Sequence, residues 1–244
     1  MLNIIIPLGG KSLFYEDSAY HFSKYLIDIN GKPMIQLVLE PFLKINEEKR
    51  FIFVVKQEDC DKYHLENILK LLTNENCIII KLNRDTLGAV CSCLMAIKHI
   101  NKSTELIISN GDIIIDKDYN LILSSFRERQ LDSGVVIFES LHPQWSYVRL
   151  DDKNNIVETA EKKTISRHAI TGFYYFKDGS EFVKASMKSI EKETNVNGYY
   201  YVALVINELV LLNKKLGVYK IDNSQYHSFY TPSKIMEYEK KHNN

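Results

Sequence analysis

Residues 2–35 bring together glycines and lysines whose types and spacing could handle phosphate. An apolar run at 2–8 ends in Gly9-Gly10-Lys11-Ser12, and Lys24 and Gly31-Lys32-Pro33-Met34-Ile35 follow. A buried strand that ends in small residues lets backbone N–H groups approach an anion closely, and lysines beside it can neutralise the charge. The expected ligand is a triphosphate.

Two later turns have the same character. Asp85-Thr86-Leu87-Gly88 and Asn110-Gly111-Asp112 each follow an apolar run. Asp112 is suited to Mg2+, because one carboxylate at a strand end plus phosphate oxygens is a common way to hold that ion. Gly-Asp alone is equally the signature of a turn or helix cap, and only the third strand-end signal in one chain tips the reading to function. Among the lysines, Lys24 lies between a loop and an apolar run, and Lys162 precedes a strand expected beside the pocket, so both are candidates for phosphate contact. Lys32, Lys44 and Lys163 read as solvated surface charges.

Composition removes several classes. Basic and acidic residues balance at 31 each, so nothing drives binding to nucleic acid or to an anionic membrane surface. No apolar run approaches the length of a membrane span, and the first lacks a basic leader, so a cytoplasmic location is expected. The four cysteines lack the paired spacing of a zinc site, and Cys91 and Cys93 are expected on different faces of one helix. The seven histidines show no metalloprotease spacing, and none pairs with a serine or cysteine motif for acyl transfer. His168 and His227 fit surface or structural roles. Trp145 and the Tyr199-Tyr200-Tyr201 run fit packing.

The elements that must position these residues alternate in type. Residues 2–8, 50–55, 77–82, 105–109 and 133–139 read as strands, and 34–44, 60–72, 87–99 and 119–129 as helices. Apolar strands separated by helices predict a doubly wound, mostly parallel α/β sheet of Rossmann-like type, with helices on both faces. Shorter strands at 147–150, 156–160 and 169–176 then form a small β-meander. Helices at 181–191 and 202–213, a strand at 216–221 and a last helix opened by Thr231-Pro232 extend it. No linker or repeat interrupts residues 1–244, so a single domain is expected. In such sheets ligands sit at the carboxyl ends of the strands, near the switch in strand order, where the three turns fall.

The order of Pro7-Leu8-Gly9-Gly10-Lys11, Lys24, Gly31-Lys32-Pro33-Met34-Ile35, Gly88-Ala89, Ser109-Asn110-Gly111-Asp112, Glu161-Lys162, Thr171-Gly172-Phe173 and Tyr230-Thr231-Pro232 resembles the sugar-phosphate nucleotidylyltransferase superfamily. Within it, the Leu-Gly-Gly-Lys opening is similar to the CTP:phosphoglutamine cytidylyltransferases of capsule phosphoramidate biosynthesis. The resemblance implies attack by an acceptor phosphate oxygen on the α-phosphorus of a nucleoside triphosphate, CTP being favoured, with Mg2+ as cofactor and pyrophosphate as leaving group. The favoured acceptor is L-glutamine phosphate, ahead of a sugar 1-phosphate. It implies Leu8, Gly9 and Gly10 around base and ribose, with Lys11 on the triphosphate. Thr86, Gly88 and Ala89 would complete the base pocket, with Asn110 and Gly111 also on the nucleotide. It puts Lys24 at the α-phosphate, Asp112 on Mg2+, Lys162 on the acceptor phosphate, and Gly172, Asn197 and Tyr199 on the acceptor side. A homodimer is left open.

The departures are specific. A glycine and an arginine expected after the opening loop are replaced within Ser12-Leu13-Phe14, and a phenylalanine cannot replace arginine's forked donors. Lys11 or His21 could stand in. A second metal-binding aspartate expected before Thr231-Pro232 is Ser228, which leaves nearby Asp222 as the candidate. These losses keep a non-catalytic nucleotide-binding reading alive. A dinucleotide oxidoreductase lacks its third glycine here, and Asp112-Ile113-Ile114 lacks the Asp-x-Asp of many glycosyltransferases.

Overall fold

A computed structural model describes residues 1–10 and 23–242. The chain runs β1 (Leu2–Pro7), β2 (Asp28–Ile29), β3 (Lys32–Pro33), α1 (Met34–Leu43), β4 (Lys49–Lys56), α2 (Gln57–Tyr63), α3 (Leu65–Leu72) and β5 (Cys77–Leu82). It continues through α4 (Ala89–Leu94), α5 (Ile97–Ile100), β6 (Leu106–Ser109), β7 (Ile113–Ile115), α6 (Tyr119–Glu128), β8 (Ser133–Glu139), β9 (Ser146–Leu150) and β10 (Ile156–Glu161). The last elements are β11 (His168–Phe176), α7 (Gly179–Glu191), α8 (Val202–Leu211), β12 (Leu216–Lys220), β13 (Tyr226–Ser228) and α9 (Pro232–His242).

Nine strands form one sheet. Its path is β10-β9-β11-β6-β1-β4-β5, with β8 also on β11 and β12 on β8. From β6 to β5 all pairings are parallel. The chain moves outward from β1 through β4 to β5, then returns with β6 on the other side of β1. This reversal is the switch point at which an open α/β sheet offers a crevice. The meander strands do not form a separate layer, because β11 pairs antiparallel with β6 and carries β9 and β10 into the same sheet.

Alternation along the strands fills both faces. Ile4 and Ile6 of β1 join Phe51 and Phe53 of β4 under α1, α6 and α9, whereas Ile5, Ile52 and Val54 join the opposite core under α4, α7 and α8. None of the described helices is long and apolar enough to cross a membrane.

Local chemistry broke two of the expected helices. The helix expected at 60–72 is split by His64, whose φ of 56° is left-handed. The helix expected at 87–99 is interrupted where Met95 and Ala96 donate to Ser92 and Cys93, three residues back, and the chain restarts as α5. Cys91 is half-buried and Cys93 is fully buried, consistent with different faces. Asn30-Gly31, with φ of 52° and 79°, makes the tight turn between β2 and β3, the geometry that Asn-Gly favours.

Gly134 of β8 lies under α6, and a Cβ there would meet the Phe126 ring at 2.7 Å. Gly134→Ala is expected to lower stability by about 1–3 kcal/mol, read as a lower urea midpoint. An unchanged midpoint would show that Phe126 can step aside.

Candidate active site

The carboxyl ends of β1, β5 and β6 open into a cleft of about 740 Å3. It is lined by Gly9, Gly10, Gly111 and Asp112, by Thr86, Gly88 and Ala89, and by Lys162, Tyr199 and Tyr201. Adjoining it is a recess of about 320 Å3, shared through Asn110, Trp145, Lys162 and Tyr230 and reaching Gly172 and Glu161. Three turns and several later segments, distant in sequence, therefore meet in one place.

Glycines permit that meeting. A Cβ at Gly111 would lie 2.2 Å from Leu8 Cδ2, and one at Gly9 2.7 Å from Leu82 Cδ1. Gly88, at φ 102°, packs so closely on Tyr200 that a Cβ would sit 2.5 Å from its carbonyl oxygen. Tyr200 N–H donates to Leu87 O at 2.8 Å and Val90 N–H donates to Tyr200 O at 3.2 Å, which fastens the 86–88 loop to the 195–201 segment. Thr86 and Ser92 hydroxyls share a hydrogen bond of 2.6 Å.

Gly172 sits in a bulge of β11, where pairing with β8 shifts between Ile170 and Tyr174. Its φ of 99° and its contact with Asn110, whose N–H donates to Gly172 O at 3.1 Å, turn the strand toward the recess.

Charge is concentrated in one pair. Lys24, in a 3-10 turn at Lys24–Leu26, donates through Nζ to Asp112 Oδ2 at 2.5 Å. The side chains are only 7% and 17% exposed, and Nζ also lies 5.7 Å from the Tyr230 ring centre. Lys162, also on the cleft lining and at φ 52°, is anchored by its N–H on Trp145 O at 3.1 Å and donates through Nζ to the Tyr201 hydroxyl at 3.2 Å, which holds its ammonium above the ordinary lysine range. Beside it, burial pushes the Glu161 carboxyl up, against the hydrogen bond from Ser146 and the charge of Lys162.

Three expected contacts fall elsewhere. The Leu8 side chain is packed in the core beneath Gly111 instead of lining the cleft. Asn197 takes the first position of an Asn-Gly turn closed by Val196 and Tyr199, exposed and outside the cleft lining. Asp222 does not join Asp112: it is exposed and its carboxylate caps a 3-10 turn through a reciprocal pair with Gln225, while Ser228 lines the cleft. Lys11, with Ser12, Leu13, Phe14 and His21, lies outside the described residues. Trp145, expected only to pack, both stands edge-on to Phe138 and Tyr226 and lines the cleft. Tyr226 and Tyr230 also line it, and a lone tyrosine in sequence carries no sign of that role.

The sequence matches the nucleotidyl transferase family over residues 19–207, and the chain belongs to that family. No curated protein matches it. In fold it is similar to a nucleoside-diphosphate-sugar pyrophosphorylase from Vibrio cholerae RC9, at 17% identity and a TM-score of 0.83, covering 97% of this chain and 99% of that one. It is also similar to the inositol-1-phosphate CTP transferase from T. maritima, at 17% identity and a TM-score of 0.74, covering 98% and 96%. A UDP-glucose pyrophosphorylase complexed with UDP-glucose gives 15% identity and a TM-score of 0.79, covering 99% and 98%.

Two measurements follow. Lys24→Met strands the Asp112 charge and is expected to cost about 3–5 kcal/mol in urea unfolding. The double variant with Asp112→Asn should lose less than the sum of the single losses, and strict additivity would show that the two groups do not depend on each other. For Glu161, a folded-state pKa above the unfolded value of about 4.3 means that the folded form binds the proton more tightly, so its contribution is full at low pH and is lost as pH rises through the raised value. Wild type should therefore lose stability relative to Glu161→Gln as pH rises above the unfolded value of about 4.3; parallel curves would contradict the raised pKa.

Proposed function

We propose that this chain joins the nucleoside monophosphate of a nucleoside triphosphate, with CTP favoured, to a small phosphorylated acceptor, with L-glutamine phosphate favoured, releasing pyrophosphate. The observation that carries the reading is that the Lys24–Asp112 pair and Lys162 line one strand-end cleft. The family match supports nucleotidyl transfer, and one fold relative is titled a CTP transferase. The amino-acid acceptor rests on the Leu8-Gly9-Gly10-Lys11 opening.

In this reaction an acceptor phosphate oxygen forms a bond to the α-phosphorus while the bond to the β-phosphate oxygen breaks, and pyrophosphate leaves with that electron pair. Two anions must be brought together, so positioning and positive charge supply the catalysis. Lys24 exchanges its carboxylate partner for phosphate oxygens as the nucleotide enters. Lys162 holds the acceptor phosphate, and the glycines of the lining let the nucleotide lie close to the backbone. The Asp112 carboxylate, a hard oxygen donor aimed into the cleft with the Ser228 hydroxyl also on its lining, fits Mg2+. When bound, that ion would offset charge on the phosphate oxygens.

A sugar 1-phosphate acceptor is the second reading, favoured by the sugar pyrophosphorylases that share the fold. The test is pyrophosphate release with Mg2+ from each of four nucleoside triphosphates against L-glutamine phosphate, phosphocholine and several sugar 1-phosphates. Release from CTP with L-glutamine phosphate alone is expected, and Asp112→Asn should lower it on the order of 100-fold or more. Release with a sugar phosphate would move the acceptor to the second reading. Nucleotide binding without release from any pair would overturn catalysis and make the missing arginine decisive.

A further inference from the structure

The β7–β13 ladder carries a second cluster, away from the transfer chemistry. Alternation along β13 sends Ser228 to the cleft and His227 to the other face, where His227 Nε2 lies 2.6 Å from Asp116 Oδ2 just beyond β7. His242, in the last turn of α9, brings its ring centre to 5.4 Å from that of His227. One ligand atom from each of Asp116, His227 and His242 lies within 4.8 Å of the others.

We propose that Asp116, His227 and His242 bind a divalent ion of the zinc class that ties α9 to the β7–β13 ladder. Two imidazoles and one carboxylate form a donor set that such ions accept, with further positions open to water. The supporting contacts have the right sense. His242 Nδ1 lies 2.9 Å from Tyr238 O, which places the ring proton on Nδ1 and leaves the Nε2 lone pair for a metal. Asp116 is held in place by its own N–H on Gln225 O at 2.8 Å and by Gln225 Nε2 donating to Asp116 O at 3.1 Å. Lys241, the nearby cation on α9, is engaged with Ser224 O at 2.8 Å.

A hydrogen-bonded His227–Asp116 pair accounts for two of the three groups. The His242 ring also stacks on Tyr238, with centres 4.1 Å apart, and Tyr238 stands edge-on to His227, so the aromatic packing that positions His242 presents it to His227 and Asp116. An ion bound tetrahedrally at about 2.0–2.1 Å sets its ligand atoms about 3.3 Å apart, so His227 and Asp116, now at 2.6 Å, must part by about 0.7 Å and release the proton between them, while atoms up to 4.8 Å apart in the cluster draw together. The Asp116 side chain, 45% exposed, has room for this.

The far end of the same ladder reaches the cleft. Ser228 pairs with Ile113, Phe229 N–H donates to Asp112 O at 2.7 Å, and Tyr230 lines the cleft wall. An ion at Asp116 would therefore stiffen the segment behind Asp112, whichever nucleotide or acceptor the cleft takes.

The experiment is titration of the full chain with Co2+, read by its visible d–d absorption, followed by Zn2+ competition and a thermal melt. One Co2+ displaced by Zn2+ is expected, with Zn2+ raising Tm. His227→Ala and His242→Ala should each weaken binding at least about tenfold, and Asp112→Asn should leave it unchanged. His242 is exposed at the end of a helix, so its variant keeps the test valid if His227→Ala does not fold. No d–d band, or a band and affinity unaltered in His242→Ala, would overturn the proposal and leave a hydrogen-bonded pair.

Discussion

The cleft is organised around the ion pair between Lys24 and Asp112. A carboxylate and an ammonium so little exposed cannot be separated without leaving one charge stranded, and that asymmetry is worth more than the net stability of the pair. The pair joins two parts of the chain that are distant in sequence: the 3-10 turn at Lys24–Leu26 and the turn between β6 and β7. It also keeps Lys24 poised. In the proposed function, a triphosphate entering the cleft would offer the ammonium other anionic partners.

Around this pair the backbone is held from several directions. Asp112 O accepts from Phe229, Gly111 closes on Leu8, and the 86–88 loop is fastened to Tyr200. The 86–88 loop and the segment that brings Tyr199 and Tyr201 to the cleft share backbone hydrogen bonds, so a displacement of one is felt by the other. The bulge at Gly172 does similar work for the recess, turning β11 so that Asn110 and the strand end meet. The site is therefore built on strand termini and short tied turns, which hold side chains more firmly than long loops.

Those strand termini were legible in the sequence because each ends an apolar run in small or acidic residues, and the alternating elements require a parallel sheet with its crevice there. Lys24, Lys162, Thr86, Gly88, Ala89, Asn110, Gly111 and Asp112 all reach the cleft or its recess for that reason. Three assignments failed because local backbone chemistry took the residue first. Asn197 was claimed by an Asn-Gly turn, Asp222 by a capping box, and the Leu8 side chain by the core. The β7–β13 ladder, three residues a side, is too short for any periodicity to show, and with it went the positions of His227 and Tyr226, whereas Ser228 lines the cleft at the place where the resemblance implies an aspartate. Trp145 was hidden differently, since an aromatic side chain that packs and one that lines a pocket have the same appearance in sequence.

Ser228 shows how charge balance follows from that hidden ladder. It faces the cleft one pairing away from Asp112, the place where the resemblance calls for a second aspartate. Two carboxylates there would need a second buried cation, because like charges at short range in a dry site oppose ionisation of both. With a hydroxyl instead, Lys24 balances Asp112 and the pair carries no net charge. In the proposed function, the cleft would thus be less repulsive to an incoming triphosphate, at the cost of a carboxylate that would have gripped a cation more tightly. The binding of anions and of a cation would then be set against each other at this one position, where serine in place of the aspartate that the resemblance implies favours the anions.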